Sequence, residues 1–333
     1  MNPEPPLQSL PLVTLYLTER CNSRCVSCDY WRHGSKDMTL EAVTRWLPEF
    51  EALGTRAILV SGGEPLLNPE WPQIARLLRS RGLKLMLLSS GLSLAKHAMQ
   101  VADFFESVTV SMDGTCAATY AAIRGLDAFD TVCDGVRAAV KQGLPASLRV
   151  TVQRANYREL PAFVTLAHEL GASGVSFLAA DVSNPHAFGR SLPQGIADDI
   201  ALRPGDLPEF DRVLDKIALE HTSEFLSGFI AESPQKLRRI REYFAGVCGA
   251  GAFPAVKCNA PEFSAVIEAD GTVRPCFFIP GTGATANAGL RGALNDPLMK
   301  RLRADIRRRS RSECANCVCS MWRDPASAWD VSS

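Results

Sequence analysis

From about residue 11 to residue 180, short apolar runs alternate with helix-length segments, and this alternation leaves few architectures open. The runs are Leu12–Leu17, Arg56–Val60, Leu83–Ser89, Ser107–Ser111, Leu148–Gln153 and Val175–Leu178, rich in Val, Ile and Leu. They show little polar alternation, as expected of a parallel sheet covered on both faces. Between them Leu40–Leu53, Glu70–Arg81, Ser93–Ala102, Phe129–Gln142 and Tyr157–Leu170 have helix length. Gly54, Gly82, Gly143 and Gly171 stand where helix C-caps fall. Strand–helix units of about 25–35 residues predict an α/β barrel or a doubly wound sheet, and the six units fall short of a full barrel's eight.

Residues 181–245 read as a loop followed by polar helices at Leu207–Glu220 and Pro234–Ala245. Beyond them Ser264–Cys276 has the pattern of a hairpin turning on Asp270–Gly271. A chain of 333 residues, 46% hydrophobic, suffices for one large domain and a smaller one. Its 36 basic residues balance its 36 acidic ones, so charge points to neither a nucleic-acid nor a membrane partner. No run approaches the roughly 18 apolar residues of a membrane span. The N-terminus lacks the basic start and apolar core of a secretion signal, which places the chain in the cytoplasm.

Eleven cysteines are many for that compartment, where disulfides are rare and clustered thiols bind metals or do chemistry. Cys21, Cys25 and Cys28 follow the first strand at the spacing Cys-x3-Cys-x2-Cys. Three thiolates on an iron–sulfur cubane leave one iron open to another molecule. Zinc, completed by a histidine such as His33, is the alternative reading of the spacing. The second strand ends in Ser61-Gly62-Gly63-Glu64-Pro65, where glycines admit a ligand near the backbone and Glu64 offers an ammonium acceptor. The third strand ends in Ser89-Ser90-Gly91 and the fourth in Ser111-Met112-Asp113-Gly114.

Together these motifs resemble the radical S-adenosylmethionine (SAM) superfamily over at least residues 11–180. The resemblance implies a partial (β/α)6 TIM-like barrel whose [4Fe–4S] cluster is held by Cys21, Cys25 and Cys28. SAM would chelate the open iron. Glu64 would then accept from the SAM amino group, with Gly62 and Gly63 beside it. Ser111 and Asp113 would lie near the ribose or carboxylate, and Arg149 would be a carboxylate partner. Ser27 stands where the family commonly has an aromatic residue near the adenine, so Tyr30 or Trp31 are the candidates for that contact.

A second thiol group follows: Cys258-x12-Gly271-x4-Cys276, then Cys314-x2-Cys317-x-Cys319. Zinc-ribbon spacing is similar. Beside the barrel motifs, the pattern resembles the SPASM and twitch extensions, which bind auxiliary [4Fe–4S] clusters, and Ile123-Arg124-Gly125 resembles that subgroup too. The chain has fewer cysteines here than the full SPASM pattern, which implies the twitch form with one auxiliary cluster. Cys258, Cys276, Cys314 and Cys317 are its expected ligands, Cys319 is a possible replacement, and Cys248 has no assignment. Cys116 and Cys133 read as structural thiols.

The expected organisation is a barrel over 1–200, linking helices over 201–245 and an auxiliary-cluster domain over 246–333. The resemblance implies an enzyme cleaving SAM reductively to a 5′-deoxyadenosyl radical, fed by a reductant such as flavodoxin or ferredoxin. The barrel begins near residue 11, which favours oxidation of a small molecule over modification of a ribosomally made peptide or protein. A zinc-binding structural protein is the remote alternative. The basic segment Met299–Arg311 reads as a solvated face or an anion site. Asp181 caps the sixth strand or touches substrate, and His186 has no visible partner.

Overall fold

The computed structural model describes residues 5–184, 187 and 199–324. All six expected strands form: β1 (Leu12–Thr18), β2 (Ala57–Gly62), β3 (Lys84–Ser89), β4 (Ser107–Ser111), β5 (Ala146–Val152) and β6 (Gly174–Ala179). Each pairs in parallel with the next. The intervening helices are α1 (Leu40–Ala52), α2 (Trp71–Ser80), α3 (Leu94–Phe104), α4 (Ala117–Arg124), α5 (Phe129–Lys141) and α6 (Leu160–Glu169). The short α4 lies outside the expected helices. The expected Tyr157–Leu170 helix divides into a 3-10 turn at Tyr157–Glu159 and then α6, where Pro161 suits a first helical turn.

The strands are less uniform than their composition suggests. Ile58, Leu85, Val108, Val110, Leu148 and Val150 are fully buried in the apolar core. Alternate residues form register rows on the opposite face, such as Thr109 beside Ser147 and Ser111 beside Arg149. That inner face is partly polar, so the barrel lumen can take a polar ligand.

After β6 the chain forms α7 (Leu207–Glu220) and α8 (Pro234–Val247). Segment 229–232 runs along the open edge of β6. Val175 N donates to Phe229 O at 2.8 Å, and Phe177 N donates to the buried Glu232 carboxylate at 2.8 Å. The expected hairpin forms from β7 (Ser264–Ile267) and β8 (Val273–Arg274), with Gly271 at φ 88°. Its place was not legible in the sequence: β7 pairs in parallel with β1, giving the order β6-β5-β4-β3-β2-β1-β7-β8. The hairpin therefore continues the barrel sheet. A basic helix, α9 (Pro297–Arg307), precedes the last cysteines.

Candidate metal centres and SAM site

The first cysteine loop leaves the C-terminal end of β1 and is gripped from two sides. On one side Gly63 N donates to Thr18 O at 2.7 Å and Glu64 N to Arg20 O at 2.8 Å. A Cβ on Gly63 would stand 2.2 Å from Arg20 O, and one on Gly62 would stand 2.4 Å from Thr18 O. These glycines are required by the loop's own backbone. On the other side Arg24 N donates to Arg124 O at 2.9 Å and Val26 N to Ile123 O at 3.0 Å. The last carbonyls of a helix lack partners within it, and the loop supplies them to α4. Gly125 has φ 72°, and a Cβ there would meet Arg24 O at 2.3 Å.

Burial pushes the Cys21 thiol up to about 11 and the Cys28 thiol up to about 12, and it raises Cys25. Neighbouring thiols add to the shift at Cys21 and Cys28, so the three share one electrostatic environment. Without metal these groups stay protonated near neutral pH, and a cluster must displace their protons to bind.

Glu64 is fully buried, and its carboxylate is already engaged. It accepts from Ser90 N at 2.6 Å, from Ser89 Oγ at 3.0 Å and from Leu66 N at 3.2 Å. Asp113 is likewise enclosed, accepting from Thr151 N at 2.6 Å and from Arg124 Nη1 at 3.1 Å. Both carboxylates fasten strand ends together. Burial holds both above the ordinary carboxylate range, and their hydrogen bonds offset only part of that. Ser111, the last residue of β4, pairs in register with Arg149 in the middle of β5. Arg149 Nε is enclosed without a hydrogen-bond partner among the described residues. A buried donor lacking an acceptor fits a ligand that supplies one.

The second thiol group surrounds a cavity, although among the described residues no three such side chains stand close enough to hold a single metal ion. Cys258, Cys276, Cys314, Cys317 and Cys319 all line one cavity, against Leu12, Thr14 and Leu59 of the barrel. Burial pushes Cys314 up to about 12 and Cys319 up to about 11, and raises Cys276 and Cys317. Asn259 clasps the tail beyond Cys319: Asn259 N donates to Met321 O at 2.9 Å, and Arg323 N to Asn259 Oδ1 at 2.9 Å. That clasp brings Cys319 back to Cys258. Cys248 caps α8, its thiol directed at Ala245 O, and does not line the cavity.

Aromatic rings connect the two regions. Tyr30 packs edge-on against Tyr16 at 5.9 Å, and Tyr16 stacks on Phe277 at 6.4 Å. Trp31 is instead tied to the loop, donating to Cys25 O at 3.3 Å. Asp181 accepts from Ser183 N and Asn184 N, so it caps its own turn. His186 and the side chain of His33 lie outside the described residues. The basic segment is partly paired: Arg307 with Glu262, Arg308 with Asp305 and Arg311 with Glu313, while Arg303 is buried. Cys133 is buried in the core and Cys116 is exposed.

A partial parallel barrel with a thiol triplet at its strand ends and a second thiol set beyond is a scaffold for two thiolate-bound metal centres. Comparison with known proteins makes this specific. Residues 15–167 match the model of the Radical SAM superfamily, and residues 258–318 match SPASM, an iron-sulfur cluster-binding domain. The chain belongs to the radical SAM superfamily and has a SPASM-type auxiliary domain. Membership brings a [4Fe–4S] cluster and SAM, and the SPASM domain brings auxiliary iron–sulfur binding.

An AdoMet-dependent heme synthase of Methanosarcina barkeri is 30% identical over 167 residues, covering 48% of each chain. A probable GTP 3',8-cyclase of Saccharolobus solfataricus is 24% identical over 82% of this chain and 83% of that protein. The chain thus spans about half the length of the first curated relatives it matches. Streptococcus suis SuiB bound to S-adenosylmethionine superposes with a TM-score of 0.67 at 15% identity, over 94% of this chain and 73% of that one. AnSMEcpe with bound AdoMet gives 0.65 at 18% identity, over 89% and 79%. These two likenesses concern the fold. Among the described residues no helix is long and apolar enough to cross a membrane.

Proposed function

We propose that this chain is an enzyme that cleaves SAM reductively and oxidises a small molecule held in the barrel lumen. One observation carries the reading: a thiol triplet follows the C-terminal end of β1, and five further cysteines line a cavity against Leu12 and Thr14 of the same strand. Cys21, Cys25 and Cys28 would hold the SAM-binding cluster. Bound there, the reduced cluster and SAM supply a 5′-deoxyadenosyl radical that removes one hydrogen atom from substrate. Ser111 and Arg149 would orient the SAM carboxylate, and Tyr30 is placed to bound the lumen beside Cys28. The backbone of Gly62–Glu64 would meet the amino group, with the Glu64 carboxylate acting as a fastener behind it.

Cys258, Cys276, Cys314 and Cys317 would hold one auxiliary cluster, which would take the second electron of an oxidation. The likeness to GTP 3',8-cyclases over most of both chains supports a small substrate. The proposed organisation is a barrel over 1–200, linking helices over 201–245 and an auxiliary region over 246–333 whose hairpin extends the barrel sheet. The clustering of thiols at two sites supports a reducing, cytoplasmic setting, where a flavodoxin or ferredoxin would serve as electron donor. The test is anaerobic reconstitution, iron and sulfide analysis, and incubation with SAM and dithionite. About eight irons per chain and release of 5′-deoxyadenosine are expected. Protein with zinc in place of iron, or fully loaded protein that leaves SAM intact, would overturn the reading.

A further inference from the structure

The Ile123-Arg124-Gly125 motif has a physical role that the assignments above leave unused. Its backbone receives the N–H groups of Arg24 and Val26, the two residues that flank Cys25. Its guanidinium is enclosed, with a side chain only 11% exposed, and pairs with the buried Asp113 at 3.1 Å. Asp113 is in turn fixed by Thr151 N, and its carbonyl accepts from Asn156 Nδ2 at 3.0 Å. Arg124 Nε has no hydrogen-bond partner among the described residues. The two backbone bonds to Arg24 and Val26 set Arg124 directly against the turn that carries Cys25.

We propose that Arg124 is a positioning residue that places a buried positive charge beside Cys25 and thereby raises the reduction potential of the SAM-binding cluster. The inference rests on reading Cys21, Cys25 and Cys28 as the cluster ligands. Net charge and burial are among the factors that set such potentials. A cation fixed in a water-poor site favours the reduced, more negative cluster. Asp113 acts in the opposite sense, since its carboxylate neutralises part of that charge.

The test is redox titration of anaerobically reconstituted full-length protein, followed by electron paramagnetic resonance of the SAM-perturbed cluster signal. Arg124→Gln should shift the midpoint to a more negative value, and Arg124→Lys should leave it near that of the unmodified protein. Asp113→Asn should shift it to a less negative value. Opposite shifts in the two neutralised variants are a signature that loop disorder alone does not produce. If Arg124→Gln cannot hold iron at this site, the sign of the Asp113→Asn shift decides. Unchanged midpoints, or shifts of the same sign, overturn the inference. If the unmodified protein shows no SAM-perturbed signal, the failure lies with the cluster assignment itself.

Discussion

The two thiol sites are built by opposite means. The first occupies Cys21 to Cys28, and its shape comes from close backbone packing in which Gly62, Gly63 and Gly125 leave no room for a Cβ. The second gathers cysteines from Cys258 to Cys319, and long-range pairing brings them together. There β7 lies on β1, Asn259 clasps residues 321–323, and Asn184 Nδ2 reaches from beyond β6 to Phe278 O at 2.7 Å. The first set is contiguous in sequence, although residues 62–64 and 123–125 hold its backbone in place. The auxiliary site exists only when the sheet is complete, so metal binding and folding should be strongly coupled there.

The largest expected effect tests the local site. Cys25→Ala should lose about four irons and all 5′-deoxyadenosine formation while the auxiliary iron stays. Iron counts and product chromatography read both, and residual SAM cleavage would remove Cys25 from the ligand set. Next in size is Cys276→Ala, which should lose about four irons and substrate turnover but keep uncoupled SAM cleavage. The shared sheet makes this a severe test. Loss of cleavage as well would show that the two sites stand or fall together through β1 and β7.

Glu64→Ala should have a smaller, structural effect. Removing a buried carboxylate that accepts from Ser89, Ser90 and Leu66 should lower stability by about 1.5–3 kcal/mol, read as a denaturation midpoint before SAM is added. A protein of unchanged stability with SAM affinity about tenfold weaker would instead restore direct contact with the amino group. The pH dependence adds a sign. A carboxyl whose folded pKa is raised binds its proton more tightly when folded. Its contribution therefore declines as pH climbs from the ordinary carboxylate range through the raised value. Glu64→Gln should flatten that part of the stability profile.

The smallest effect belongs to the fifth thiol. Cys319→Ala should keep about eight irons if Cys258, Cys276, Cys314 and Cys317 are the ligands. Loss of about four irons there, with Cys317→Ala retaining them, would exchange the two assignments. The geometry makes this a close contest, since Cys319 lines the same cavity as the other four.

Strand–helix order, the hairpin turn at Gly271 and both thiol groups were legible in the sequence, because each depends on local periodicity or on spacing within a turn. Asp113 and Glu64 were recognisable as motif residues, but their task was not. Whether a carboxylate meets a ligand or its own scaffold depends on partners far away in the chain: Ser89 and Ser90 for Glu64, Arg124 and Thr151 for Asp113. The pairing of β7 with β1 lay equally beyond reading, since the pairing of strands so far apart in sequence leaves no periodic trace in either. The sequence by itself determined which chemistry the chain can hold. Only the tertiary structure decided which groups face the lumen and which hold the loop, because burial and hydrogen-bond partners are properties of the packed chain.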